Sequence, residues 1–140
     1  MFVVAYWLFK EEPDHYSFAD LQREKRTVWS GVNNNLARQN LRKIQAGDRV
    51  FFYHTGDEKA VVGEMKVAKG PYRDPDGDDE KAVVVDVEAV RQLPHPVTLS
   101  QIKADPALAG WELARLPRLS IVPVTEAQWR RVEELSRKQA

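Results

Sequence analysis

Residues 2–9, FVVAYWLF, are apolar at every position and rich in aromatic and β-branched types. A run without alternation predicts a strand covered on both faces, and the polar stretch Lys10 to Pro13 ends it. Ser17, with Asp20 three residues on and Phe18 and Leu21 on one face, predicts a short capped helix stopping near Arg23 to Arg26. Thr27 to Ser30 follows as a brief extended piece. Ala37, Leu41 and Ile44 then recur at helical spacing while Arg38, Arg42 and Lys43 project elsewhere, so an amphipathic helix is expected, with Gly47 placed to cap it.

The run RVFFYH at 49–54 predicts a strand, residues 55–57 a turn, and AVVGEMKVA at 60–68 an antiparallel partner. Gly63 inside that partner signals a bulge or a close approach. Residues 70–80 have the composition of an exposed loop, and 82–93 form the longest strand candidate, closed by Pro94 and Pro96. Thr98 with Gln101 opens a short helix that ends or restarts at Asp105-Pro106. A last strand is expected at 118–124, with Pro123 favouring an edge. Thr125 with Gln128 caps a closing helix whose inner face carries Trp129, Val132 and Leu135. These elements sum to an α+β chain of about five or six strands with flanking short helices. They do not alternate regularly enough for a parallel βαβ sheet, and a small, partly open β-barrel fits better.

A length of 140 residues with 43% hydrophobic content suits one core, so residues 1–140 are expected to form a single domain. No apolar run approaches membrane-spanning length, and the apolar start lacks a basic flank and a cleavage site, so a cytoplasmic protein without a membrane partner is expected. The absence of cysteine excludes disulfides, thiolate metal sites and a thiol nucleophile. Twenty-one basic residues balance 21 acidic ones, which argues against a large sequence-independent grip on a polyanion. The distribution is uneven: residues 21–49 carry seven basic side chains against two acids, and 74–88 seven acids against Lys81. The basic block is expected to face a nucleic acid and the acidic loop to face away, with solvated surface as the plainer account of both.

His15, His54 and His95 lack metal-site spacing, no serine sits in a nucleophile elbow, and there is no glycine-rich phosphate loop. Neither catalysis, a cofactor nor a metal is expected. His54, ending an aromatic strand, suits either a pocket or a satisfied structural role. The stretch WSGVNNNLARQNL at 29–41 is the richer lead. A tryptophan beside serine and glycine can stack on a nucleobase or simply fill the core. One of three asparagines can cap the helix, leaving amides that both donate and accept, as reading a base edge requires.

Taken in order, YWLFKEEPDHYSFADL, WSGVNNNLARQNL, GDRVFFYH, VVGEMKV and RLSIVPVT resemble the EVE domain, a member of the PUA-like superfamily. The resemblance covers nearly the whole chain. It implies a PUA-like β-barrel with flanking helices, no catalytic activity, and a pocket that accepts a modified base in DNA or RNA. Carried over by motif, that pocket would hold Trp7, Lys10, Glu12, Tyr16 and Ser17, then Trp29, Gly31, Val32, Asn34 and Arg38, with Tyr53 and His54 at its border and Arg118, Leu119 and Ser120 entering from the last strand. Asn34 would face a base held near Trp29. Glu11 stands where the family commonly has serine, and Ser30 and Asn33 where it has aspartate and arginine, so this site is less cationic than the family pattern. The alternative function is a PUA-like domain binding a small molecule or peptide, and the oligomeric state is left open.

Overall fold

A computed structural model describes residues 4–77 and 79–138. Six strands form one mixed sheet: β1 (Tyr6–Glu11), β2 (Arg26–Trp29), β3 (Arg49–His54), β4 (Ala60–Arg73), β5 (Val83–Thr98) and β6 (Ile121–Val124), in the order β2-β5-β4-β3-β1-β6. Helices α1 (Phe18–Glu24), α2 (Asn35–Arg42), α3 (Leu99–Ala104), α4 (Glu112–Arg115) and α5 (Glu126–Lys138) flank it. The architecture is α+β, and β2 and β6 are the free edges of a partly open, barrel-like sheet.

The continuous apolar runs explain the centre. β1 lies parallel to β3 and antiparallel to β6, and Leu8, Phe9, Phe51 and Phe52 are fully buried. Both faces of these strands are covered, as absence of alternation requires. On one face Phe51 stacks on Trp129 of α5, ring centroids 3.6 Å apart. Arg49, Glu64, Arg91 and Glu133 then tie that helix to three strands through contacts such as Arg91 Nη2 to Glu133 Oε2 at 2.7 Å. On the other face lie Phe9, Phe18, Trp29 and Phe52. The capping boxes at Ser17 and Thr98 form, and Thr125 and Gln128 exchange bonds in the same way.

Several boundaries differ from the sequence expectation, each for a local reason. The first strand begins at Tyr6, and residues 2 and 3 of the expected run lie outside the described part. Gly47 does not cap α2, which ends at Arg42 with Lys43 as its C-cap. Gly47 instead takes φ +95° in the turn into β3 and donates its N–H to Val67 O. β4 runs on to Arg73, so the exposed loop is shorter than residues 70–80. Gly70 makes this possible, because a side chain there would meet Val85 on the neighbouring strand. β5 continues through Pro94 and Pro96, which fall where the pairing with β4 skips from Gln92 to Val97 and no ladder N–H is needed. The last strand begins at Ile121, leaving Arg118, Leu119 and Ser120 in the preceding loop.

Edge strand β2 pairs only with β5, from Arg26↔Glu88 to Trp29↔Val85. Its start is held by Asp86, which accepts from Arg26 Nη2 at 2.7 Å and from the Tyr72 hydroxyl at 2.5 Å. The Arg26 guanidinium, then the Tyr72 hydroxyl, hold the Asp86 carboxyl below the usual carboxylate range, and the bond to Asp86 pushes Tyr72 up to about 12. A depressed carboxyl gives stability that is present above its unfolded pKa, about 3.9, and lost as pH falls through the folded value. A raised phenol gives stability present below its unfolded pKa of about 10 and lost as pH climbs. Urea unfolding followed against pH should therefore show both limbs. Asp86→Asn should flatten the acid limb, and Tyr72→Phe the alkaline one. Unchanged limbs in both variants would show that this cluster does not hold β2.

Candidate functional site

The stretch from Trp29 to Asn34 contributes to three surface cavities. Trp29 ends β2 with its ring centroid 5.2 Å from Phe9 and 5.4 Å from Phe52, and it is 6% exposed. It is therefore a core residue that shows only a rim of its ring outside. Gly31 turns the chain away from β2 at φ +78°, a conformation that a β-carbon would strain. Val32 is buried, and its carbonyl accepts from Arg38 Nε at 2.7 Å.

The asparagines divide their work differently from the expectation. Asn34 is itself the cap, its Oδ1 accepting from Ala37 N at 3.0 Å. Asn33 accepts from Arg38 Nη2 at 3.4 Å, and Asn35 is the first residue of α2. Further along, Asn40 is buried and donates to Ile121 O at 2.8 Å, so α2 is pinned to β6 by a fourth amide.

The pleat separates residues that adjacent sequence positions suggested would share one pocket. In the parallel register Lys10 pairs with Tyr53 and Glu11 with His54, so successive pairs project to opposite faces. Lys10 Nζ lies 5.7 Å from the Tyr53 ring centroid and donates to Pro117 O at 3.0 Å. On the other face His54 Nε2 accepts from Phe18 N at 3.1 Å. That acceptor role puts the ring proton on Nδ1, which meets Glu58 Oε1 at 2.7 Å. Both ring nitrogens of His54 are thus engaged within the fold.

Other site candidates are also engaged within the fold. Trp7 is buried and donates its indole N–H to Asp48 Oδ2 at 3.0 Å. The Glu12 carboxylate lies against Gly56 and accepts from Thr55 Oγ1 at 3.3 Å. Ser17 caps α1, and Ser120 O accepts from Lys10 N at 3.0 Å.

The remaining candidates line four cavities. Tyr16, Trp29 and Gly31 share one of about 280 Å³ with Glu11, His15, Thr27, Val28 and Ser30. Asn34, Arg118 and Leu119 line another of about 300 Å³ with Leu36 and residues 115–117. Gly31, Val32 and Arg38 border a third of about 270 Å³ against the 74–83 loop. Lys10 and Tyr53 line a fourth, of about 260 Å³, from the other sheet face. The Glu11 carboxylate accepts from Glu12 N at 2.9 Å through Oε1, and the Tyr16 hydroxyl donates to Glu24 Oε1 at 2.5 Å. Glu11 was expected to make the site less cationic but was not placed among the residues lining the pocket. Its position two residues after Phe9 on a strand was the signal for it, since period 2 puts it on the face of Trp29.

The expected charge arrangement is overturned. Arg38 Nη1 pairs with Asp79 at 2.9 Å and Arg42 Nη2 donates to Lys81 O at 3.0 Å, so the acidic loop docks on the basic helix. Opposite blocks within one small chain attract, and the guanidinium of Arg38, only 11% exposed, is spent internally. Among the described residues no group of three or more acidic or histidine side chains is placed to hold a metal, and no helix is long and apolar enough to cross a membrane.

A mixed, partly open sheet with flanking helices and cavities around the β2–α2 connection defines a PUA-like domain. The EVE domain profile matches residues 5–135, and the chain belongs to the EVE domain family. Over 98% of its length it superposes on 96% of a Rhodopseudomonas palustris protein solved by NMR, with TM-score 0.91 and 36% identity. It is 31% identical to human thymocyte nuclear protein 1 over 96% of this chain and 75% of that protein. A crystal structure of the human protein in complex with DNA containing 5-methylcytosine matches with TM-score 0.89 and 29% identity, over 97% of this chain and 99% of that one.

Proposed function

We propose that this chain is a non-catalytic intracellular module that binds nucleic acid by receiving a modified base in the cavity between Glu11, Tyr16 and the Trp29–Gly31 turn. The observation that carries the reading is the composition of that cavity. It combines an aromatic wall, apolar Val28 and a half-buried carboxylate, with the backbone of Gly31 open to a ligand. Membership of a family whose human relative is seen with 5-methylcytosine DNA supports it.

The chemistry favours a cytosine-type base. An ionised carboxylate only accepts, so Glu11 matches the exocyclic N4 amino group and opposes the O4 oxygen of thymine or uracil. Such a contact discriminates by about 1–3 kcal/mol, whereas one methyl group pressed on apolar surface adds about 0.8 kcal/mol. The group at position 4 of the ring should therefore matter more than the methyl at position 5.

Single-stranded DNA and RNA carrying 5-methylcytosine, cytosine, thymine or other modified bases at one position would test this by fluorescence anisotropy. Wild-type protein is expected to prefer 5-methylcytosine over thymine by about 10- to 100-fold and over cytosine by only a few-fold. Glu11→Gln, which gains a donor, should narrow or reverse the first preference and leave the second. Equal binding of every strand and its unmodified control would overturn the reading.

A further inference from the structure

The cavity on the opposite sheet face serves none of this. Lys10, Lys59 and Lys103 line it, together with Tyr53 and Thr55, and no acidic residue does. None of the three ammonium groups forms an ion pair with a carboxylate among the described residues, although fourteen pairs of lysine or arginine with a carboxylate occur elsewhere in the fold. In a chain of zero net charge, three unpaired cations around one cavity are a local departure from balance. We propose that this cavity is a binding site for a phosphate group.

Each part of the site bears on that ligand. Lys10 is half-buried and, beside the Tyr53 ring, has the Pro117 carbonyl as its one hydrogen-bond acceptor among the described residues, so two of its three ammonium protons remain to be donated. Burial alone lowers its pKa, with no carboxylate offsetting the shift, and an entering anion would relieve that cost. Burial pushes Tyr53 up to about 12, so its hydroxyl stays a donor. Lys59 sits at φ +46°, in left-handed backbone that suits glycine, and its carbonyl accepts from Leu99 N at 2.8 Å, next to the cap of α3. A lysine kept in that conformation at the lip of a cationic cavity is the kind of strained position that function retains. Lys103 reaches the same cavity from the last turn of α3. Leu99, Leu113 and Pro117 supply apolar walls that lower the local dielectric and strengthen each charge. Glu12 touches Gly56 and Thr55, and Asp57, Glu58 and Glu112 adjoin cavity residues in sequence, but none of these acids lines the cavity.

Phosphate could come from the backbone of a nucleic-acid strand or from a free nucleotide, and the arms of one experiment separate them. ¹H–¹⁵N spectra of the whole chain would be titrated with inorganic phosphate and with a 5′-mononucleotide, at ionic strength held constant with sodium chloride. Anisotropy would give the salt dependence of oligonucleotide binding. Saturable shifts at Thr55, Lys59, Lys103 and Ala114 are expected, weakened at least about tenfold in the Lys59→Gln/Lys103→Gln double variant; both side chains are exposed, so the fold should persist. If the double variant also lowers the slope of log affinity against log salt by about 0.7–0.9 per lysine, equally for modified and unmodified strands, the phosphate belongs to the strand. A mononucleotide response with an unchanged slope assigns it to a free nucleotide. Shifts that chloride reproduces, or that survive in the double variant, overturn the site. None of these readouts depends on base preference, so the cavity beside Glu11 stands or falls separately.

Discussion

Trp29→Ala is expected to lower the free energy of unfolding by about 3–5 kcal/mol. For a chain of this size that corresponds to a fall of roughly 10–20 °C in melting temperature. The ring is 6% exposed and wedged between Phe9 and Phe52, so truncation removes two aromatic contacts and leaves a cavity at the junction of β1, β2 and β3. Trp29→Phe keeps a flat ring there and should cost less than half as much. A tryptophan serving only as a platform for a base would behave otherwise: its loss would leave stability intact and weaken binding by about 1–3 kcal/mol. Melting curves and oligonucleotide affinity measured on the same two variants decide the matter. An alanine variant that melts with wild type and has lost binding would return Trp29 to the role of stacking platform.

Trp29 also shows where sequence reasoning stops. Its neighbours Ser30 and Gly31 left open whether the ring would stack on a base or fill the core, and the indole, at the end of a strand paired with β5 throughout, fills the core. Element identity was legible wherever a local pattern specified it. The apolar runs gave β1 and β3, and the Ser17, Thr98 and Thr125 pairs gave the helix starts. What composition could not give was the pairing partner. Residues 70–73 and 94–96 look like loop because glycine and proline dominate them, and they are strand because bulges in the β4–β5 ladder tolerate both.

The site was legible as a set of segments and not as a single pocket. The segments at 10–17, 29–34 and 117–120 do surround the cavities. The pleat then sends Lys10 and Tyr53 to one face and Glu11 and His54 to the other, which depends on strand register. The docking of Asp79 on Arg38 was hidden for a related reason. Two blocks of opposite charge 41 positions apart can face each other or face away, and only the tertiary fold decides.

Gly63→Val is expected to be the other severe substitution, costing about 2–3 kcal/mol as overpacking in a closed core. A β-carbon at this position would lie 2.4–2.5 Å from three ring carbons of Phe18, which is itself buried and set edge-on to Phe52 at 5.4 Å. The ring cannot retreat without moving α1, because Phe18 N donates to His54 Nε2 and Ser17 caps the same turn. Displacing α1 would also move Tyr16 from the wall of the cavity beside Glu11, so nucleic-acid affinity should fall in the fraction that stays folded. Phe18→Ala offers the complementary test. Alone it should cost about 3–5 kcal/mol through the void it leaves. Combined with Gly63→Val, the valine methyls enter that void, and the double variant should be more stable than the sum of the two single effects predicts by about 1 kcal/mol or more. Strict additivity in urea unfolding would mean that the two residues do not share the space, and that α1 is held by its cap and by His54 instead.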